Sequence, residues 1–143
     1  MRILFLGDVV GPSGCEAIKK NLQKQIKINK IDFVIVNGEN AAEQGFGITE
    51  KISNNFFDCG VDVITTGNHV WDQKETVDYI NKENRLLRPY NLTSPSPGKG
   101  FEIFNSKNGY KVAVLNLMGN IFMKKCDDVF DASKDFISKN KIK

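Results

Sequence analysis

Residues 32–40 have the sequence Asp-Phe-Val-Ile-Val-Asn-Gly-Glu-Asn, and this stretch decides the fold. Its first half is an unbroken apolar run, which is typical of a β-strand that is buried on both faces. The run ends in a polar cluster that contains a glycine. Strands buried on both faces belong to parallel sheets covered by helices, and such sheets bind ligands beyond the carboxyl ends of their strands.

Two further stretches repeat this pattern. The apolar run 3–6 leads into Gly7-Asp8, and the predicted strand 61–65 leads into Thr66-Gly67-Asn68-His69. The sequence therefore predicts three buried strands, each of which ends in polar residues next to a glycine.

Helical patterns separate the three strands. Residues 13 to about 28 carry apolar side chains at four-residue spacing, as expected of a helix packed on one face. Thr49 is a predicted N-cap of a second helix, and Asp72 with Glu75 has the spacing of a capping box that would open a third.

The remainder of the chain has a different pattern. Residues 101–104 and 111–115 flank Asn108-Gly109, which is a hairpin signal, and 128–139 favours a last helix. The predicted order is β-α-β-α-β-α-β-β-α. This order predicts an α/β fold with a mostly parallel β-sheet and flanking helices.

Composition narrows the class of protein. The chain has 143 residues, of which 41% are hydrophobic and 26% are charged, and its formal net charge is +3. These values are typical of one ordinary globular domain. The basic excess is too small and too dispersed to predict binding to nucleic acid or to a membrane surface. No apolar run has the ~18–20 residues of a membrane span, and the N-terminus does not resemble a signal peptide.

The number and spacing of the cysteines indicate the redox state of the compartment in which the protein is found. Cys15, Cys59 and Cys126 are an odd number at wide spacing, without a CxxC motif. We therefore expect reduced thiols in a cytoplasmic protein.

If the three strands are parallel, their polar ends lie side by side at one edge of the sheet. Carboxylate and amide oxygens are ligands for divalent cations, and one carboxylate can bridge two metal ions ~3.5–4 Å apart. Each residue alone is more typical of a turn or a helix cap, but three such clusters at strand ends favour a metal site. The residues expected to converge are Asp8, Glu39, Asn40, Asn68 and His69, the chain's single histidine.

Three blocks in this order resemble a known family. They are Gly-Asp-Val-Val-Gly (7–11), Asn-Gly-Glu-Asn-Ala-Ala (37–42) and Gly-Asn-His-Val-Trp-Asp (67–72). They are similar to the calcineurin-like metallophosphoesterases, and within these to the bacterial 2′,3′-cyclic-nucleotide 2′-phosphodiesterases. Residues 87–91 and 97–100 also fit that group. The resemblance implies hydrolysis of a nucleotide or another small phosphodiester, and half of an αββα β-sandwich.

The resemblance also implies a role for each site residue. Asp8 and Asn40 would hold the first metal ion, Glu39 would bridge both ions, and Asn68 would hold the second. His69 would be the general acid that protonates the leaving ribose oxygen. The implied cofactors are two divalent metal ions, Fe or Mn first, with Zn or Mg as alternatives. Arg88 and Asn91 either line the site or anchor a loop.

The family's domain continues past the length of this chain, with a second sheet and three more histidine ligands. Residues 1–143 are therefore expected to be the N-terminal part of a single metallophosphoesterase domain. Three interpretations stay open. The chain is a fragment, or it is completed by another polypeptide or by self-association as a homo-oligomer. In the third interpretation, it is an incomplete half-domain that binds metal or nucleotide without turnover.

Two nucleotide-binding classes are disfavoured by the sequence. The segment 7–12 lacks the GxGxxG pattern of a dinucleotide-binding module, and the chain contains no GxxxxGK(S/T) motif of a P-loop.

Overall fold

The computed structural model describes residues 1–93, 95–123 and 125–140. Residues 94, 124 and 141–143 belong to the predicted domain but lie outside the described residues. Of the described helices, none combines the length and the apolar composition that a membrane crossing requires. The elements in chain order are β1 (Ile3–Leu6), α1 (Gly11–Asn29), β2 (Phe33–Asn37), α2 (Glu50–Asp58), β3 (Val63–Thr65), α3 (Thr76–Tyr79), β4 (Leu86–Leu87), β5 (Phe101–Asn105), β6 (Lys111–Leu115) and α4 (Val129–Asn140).

The main sheet confirms the predicted fold class. Its strand order is β1-β2-β3-β4, and all three neighbouring pairs are parallel. The strands β5 and β6 form a separate antiparallel hairpin, as Asn108-Gly109 predicts. The sequence analysis did not predict β4, because two residues are too short for a periodic pattern to reveal.

Helices cover one face of the main sheet. The predicted apolar face of α1 buries Ile18, Leu22 and Ile26 in a core cluster that also contains Val34 and Ile64 from the sheet. The helices α2 and α3 add further side chains to this cluster. As predicted, the Thr49 side chain caps α2 by accepting a hydrogen bond from the Ile52 amide.

The hairpin covers the opposite face. Val112 and Val114 of β6 form a second buried cluster with Phe33, Val63 and Leu87 of the main sheet. Outside the hairpin, α4 packs on β5. The layers therefore run helix, sheet, sheet, helix, which is the arrangement expected of half of an αββα sandwich.

The prediction that β1 is buried on both faces is wrong. Leu4 and Leu6 pack against the helix-side core, but the side chains on the opposite face are largely exposed, Ile3 at 46% and Phe5 at 59%. The hairpin covers β2, β3 and β4, and the described residues leave the β1 part of this face in contact with solvent.

The predicted capping box is also wrong. The helix α3 begins at Thr76, and Glu75 precedes it without a capping hydrogen bond from its side chain. Glu75 instead accepts a hydrogen bond from the Glu50 amide (3.1 Å) in the first turn of α2. Asp72 contacts His69, three residues earlier. Both carboxylates thus bind partners that the capping-box spacing does not reveal.

Candidate active site

Backbone hydrogen bonds hold the ends of β1, β2 and β3 side by side. Beyond β1, the Val9 amide donates to the Asn37 carbonyl (3.0 Å) and the Gly11 amide donates to the Asn40 carbonyl (2.8 Å). Beyond β2, the Gly38 amide donates to the Thr65 carbonyl (3.0 Å). The parallel ladder therefore continues past the strands, and the three polar clusters share one edge of the sheet.

Asp8 and Asn40 meet at this edge. The Asn40 Nδ2 donates a hydrogen bond of 2.8 Å to the Asp8 Oδ1. Among the side-chain atoms that the structure describes, the Asn40 Oδ1 is buried and has no hydrogen-bond partner. A buried acceptor without a partner costs ~1–3 kcal/mol. A divalent cation would satisfy this oxygen, and the adjacent Asp8 carboxylate would supply negative charge, so the pair fits a cation site.

Glu39 lies between the second and third clusters. Its Oε1 accepts a hydrogen bond from the Asn37 Nδ2 (3.4 Å), and its Oε2 accepts one from the His69 amide (3.4 Å). A Cβ atom at Gly67 would collide with both Glu39 carboxylate oxygens. The glycine in Gly-Asn-His is therefore required for the close approach of this carboxylate.

His69 is oriented by a carboxylate that the sequence analysis assigned elsewhere. The His69 Nδ1 lies 2.6 Å from the Asp72 Oδ2, and each side chain is about one third exposed. This contact fixes the imidazole plane and directs the Nε2 away from Asp72. The signal that could have identified Asp72 is its position three residues after the histidine in Gly-Asn-His-Val-Trp-Asp.

Phe46 was also missed by the sequence analysis. Its ring centroid lies 5.4 Å from that of His69, with an angle of 39° between the ring planes. The side chain is 52% exposed. The available signal was weak, since Gly45-Phe46-Gly47 indicates only a loop that carries an aromatic residue.

A groove of about 680 Å³ opens at this edge. Glu39, Gly67 and Asn68 line it on the side of the main sheet, and residues 112–119 line it on the side of the hairpin. Of the other predicted residues, Asp8, Asn40 and His69 lie outside this groove. Asp8 contacts Asn40, which follows Glu39 in the chain. The structure thus gathers the five predicted residues at one edge, as an Asp8–Asn40 pair beside a group formed by Glu39, Asn68 and His69.

The site has few ionisable side chains that could act as metal ligands. In the described parts of the chain, no group of three or more histidine, cysteine, aspartate or glutamate side chains could hold a metal ion. The ligands predicted from the sequence are two carboxylates, of Asp8 and Glu39, and two side-chain amides, of Asn40 and Asn68.

Arg88 and Asn91 anchor loops. The Arg88 guanidinium donates to the Pro89 carbonyl (2.8 Å) and the Pro97 carbonyl (3.2 Å), and burial lowers its pKa. The Asn91 Nδ2 donates to the Met118 carbonyl (2.7 Å). Of the two roles predicted for these residues, loop anchoring is the one their contacts support.

Comparison with known proteins agrees with this architecture. A family model described as "YmdB-like protein" matches residues 4–143. A 2′,3′-cyclic-nucleotide 2′-phosphodiesterase from Bacillus subtilis (strain 168) is 44% identical over 138 residues, which are 96% of this chain and 52% of the relative.

Two crystal structures have the same fold. A hypothetical protein from Thermus thermophilus has a TM-score of 0.89 at 35% identity, over 98% of this chain and 54% of that one. A novel phosphatase from Mycoplasma pneumoniae has a TM-score of 0.87 at 35% identity, over 96% of this chain and 50% of that one. The chain thus spans about half the length of each of these relatives. The match of the family model, together with these similarities, confirms the resemblance noted in the sequence: the chain belongs to the YmdB-like protein family.

Proposed function

We propose that this chain serves the metal-dependent hydrolysis of phosphodiesters, with 2′,3′-cyclic nucleotides as the substrate class. The observation that carries the proposal is the buried, unpartnered Asn40 Oδ1 beside the Asp8 carboxylate. It lies at the sheet edge that also carries Glu39 and the His69–Asp72 pair. The name of the Bacillus subtilis relative supplies the substrate class.

The proposed ligands are the residues predicted from the sequence. Asp8 and Asn40 would hold a first divalent cation, Glu39 would serve both cations, and Asn68 would hold the second. Fe or Mn is proposed first, with Zn or Mg as alternatives. When bound, the cations supply positive charge to the phosphate oxygens and activate water.

His69 acts as the general acid. Water adds to phosphorus and releases a proton to solvent, the bond between phosphorus and the ribose 2′ oxygen breaks, and that oxygen takes a proton from His69. Solvent then returns a proton to His69. The product is a nucleoside 3′-phosphate. Asp72 keeps the imidazole in place by its contact with the Nδ1, so that the Nε2 faces the leaving oxygen.

A second function is favoured by one observation. The described residues provide fewer than three clustered ionisable ligands, and hard oxygen donors alone hold Fe or Zn weakly. The alternative is therefore a half-domain that binds metal or nucleotide without turnover, unless another polypeptide or a second copy of the chain completes the site.

One experiment separates these functions. Mn²⁺ binding is measured by titration calorimetry and hydrolysis of 2′,3′-cyclic AMP is measured in parallel. For phosphodiester hydrolysis, we expect Asn40→Leu to lose both metal binding and turnover, and His69→Ala to keep metal binding and lose turnover. Metal binding without turnover in the unaltered chain selects the half-domain. Mn²⁺ binding that survives Asn40→Leu unchanged contradicts the proposed site.

A further inference from the structure

Phe46 occupies an unusual place for a phenylalanine. Its side chain remains 52% exposed, although large aromatic side chains are usually buried. Its ring packs beside the imidazole of His69 at a centroid distance of 5.4 Å. The described residues thus leave an aromatic surface open to solvent directly next to the proposed general acid.

The loop that carries Phe46 is fixed relative to His69. The Gln73 Nε2 donates to the Phe46 carbonyl (2.7 Å), and the Ala42 amide donates to the Gly47 carbonyl (2.9 Å). Gly47 has a φ of +76°, and a Cβ atom there would lie 2.8 Å from the Gln73 Cγ and 3.3 Å from the His69 carbonyl oxygen. The backbone that carries the ring is therefore held in position before any ligand arrives, which lowers the entropic cost of binding.

The chemistry of the substrate places a base near this ring. In a 2′,3′-cyclic nucleotide, the leaving oxygen is attached to C2′, and the base is attached to the neighbouring carbon, C1′. A histidine that protonates the 2′ oxygen consequently has the base close to its own ring. The half-exposed ring of Phe46 lies beside that histidine.

We propose that Phe46 is a stacking surface for the base of the nucleotide and makes the site prefer nucleotides over phosphodiesters that lack a base. This inference rests on the proposed function, since it uses the assignment of His69. Base–aromatic stacking tolerates different bases because every base has a π-face. The preference should therefore extend to all four bases, with the larger purines bound more tightly than pyrimidines.

The test compares two ribose 3-phosphates, one that carries a base and one that lacks it. Adenosine 3′-phosphate and methyl riboside 3-phosphate are titrated, with Mn²⁺ present, into the whole chain and into Phe46→Leu and Phe46→Trp variants. We expect Phe46→Leu to weaken binding of adenosine 3′-phosphate about 5- to 150-fold, the range of stacking on one base. The same variant should bind methyl riboside 3-phosphate as tightly as the unaltered chain does. Phe46→Trp should keep the binding of adenosine 3′-phosphate, because tryptophan also offers an aromatic face.

The outcomes separate the two proposals. If both phosphates bind the unaltered chain equally well, or if Phe46→Leu weakens both equally, stacking on Phe46 is wrong while the phosphate site stands. If Phe46→Leu weakens neither, stacking is likewise wrong. If neither phosphate binds in the presence of Mn²⁺, the proposed function fails, and the stacking role fails with it. Unfolding midpoints of the variants exclude loss of the fold as the cause.

Discussion

At the scale of single residues, Gly67 decides how near Glu39 can come to the strand end that carries Asn68. A methyl group at this position would collide with both Glu39 carboxylate oxygens. We expect Gly67→Ala to displace Glu39 and to weaken Mn²⁺ binding about 10- to 100-fold, the usual effect of losing a group that orients a ligand. Titration calorimetry measures this change.

Gly7 provides the matched control for that substitution. It directly follows β1 at the same edge of the sheet, and a Cβ atom there would have no heavy atom within 4 Å. Gly7→Ala should therefore leave Mn²⁺ binding unchanged. Equal affinity in Gly67→Ala and in the unaltered chain would show that Glu39 does not contribute to the metal site.

The Glu83 carboxylate should make the free energy of unfolding decrease in acid. Its carboxylate accepts hydrogen bonds from the Arg85 Nε (2.9 Å) and Nη2 (2.8 Å), and these bonds hold the pKa of Glu83 below its ordinary value of 4.5. The stabilisation is fully present above pH 4.5 and is lost as the pH falls through the lower pKa of the folded state.

We therefore expect Glu83→Gln to destabilise the fold near neutral pH by less than about 1 kcal/mol, because the Arg85 side chain is 44% exposed and solvent screens the ion pair. The difference from the unaltered chain should shrink in acid. Urea unfolding at neutral pH and in acid measures the difference in stability between Glu83→Gln and the unaltered chain. A difference that is the same under both conditions would show that the Glu83–Arg85 hydrogen bonds are not its cause.

At the scale of elements, α4 has one buried side chain, and that side chain contacts β5. Phe136 is 3% exposed, and its ring lies 4.5 Å from the Phe101 ring and 5.4 Å from the Tyr90 ring, centroid to centroid. We expect Phe136→Ala to release α4 from β5 and to cost up to ~3–5 kcal/mol. In this variant, the backbone amides of α4 should lose their protection from hydrogen exchange before those of the main sheet do. Ile137→Ala is the control, since Ile137 is 55% exposed and its loss should be nearly neutral.

Elements with a long local pattern were predictable from sequence, and elements fixed by tertiary contacts were not. The apolar stripe of α1 and the Asn-Gly turn between β5 and β6 are complete signals within their own segments. By contrast, β4 has two residues, and it is placed by hydrogen bonds such as the Thr66 amide to the Leu87 carbonyl (3.0 Å). The burial of β1 depends on which distant strands cover it, and a strand's own sequence does not record this.

The same division applies to the candidate site. The strand ends predicted that Asp8 and Asn40 would meet, because adjacent parallel strands place their ends together. Asp72 reaches His69 from three residues later in the same turn after β3, and Phe46 reaches it from the loop between β2 and α2. The strand ends alone therefore did not identify either residue. The metal ligation predicted for Asp8, Glu39, Asn40 and Asn68 remains a prediction.

At the scale of the whole molecule, the hairpin covers only part of the sheet face on which it lies. Phe33 on β2 is fully buried beneath it, whereas Phe5 on the neighbouring strand is 59% exposed. Ile3 and Met123 line the same groove as Phe5 and are also about half exposed. Contiguous apolar surface of this kind favours association and aggregation.

Phe5→Lys tests this property of the surface. The added charge lies on an edge strand, where lysine opposes pairing with other chains. We expect weaker fluorescence of a hydrophobic dye and less self-association in sedimentation, with stability within about 0.5 kcal/mol of the unaltered chain, since the site is exposed. Phe33→Ala is the contrasting variant, because losing a buried phenylalanine costs ~3–5 kcal/mol. If Phe5→Lys leaves dye binding and sedimentation unchanged, the exposed apolar face of β1 does not drive association. If Phe5→Lys unfolds the chain, Phe5 is packed more tightly than its exposure indicates.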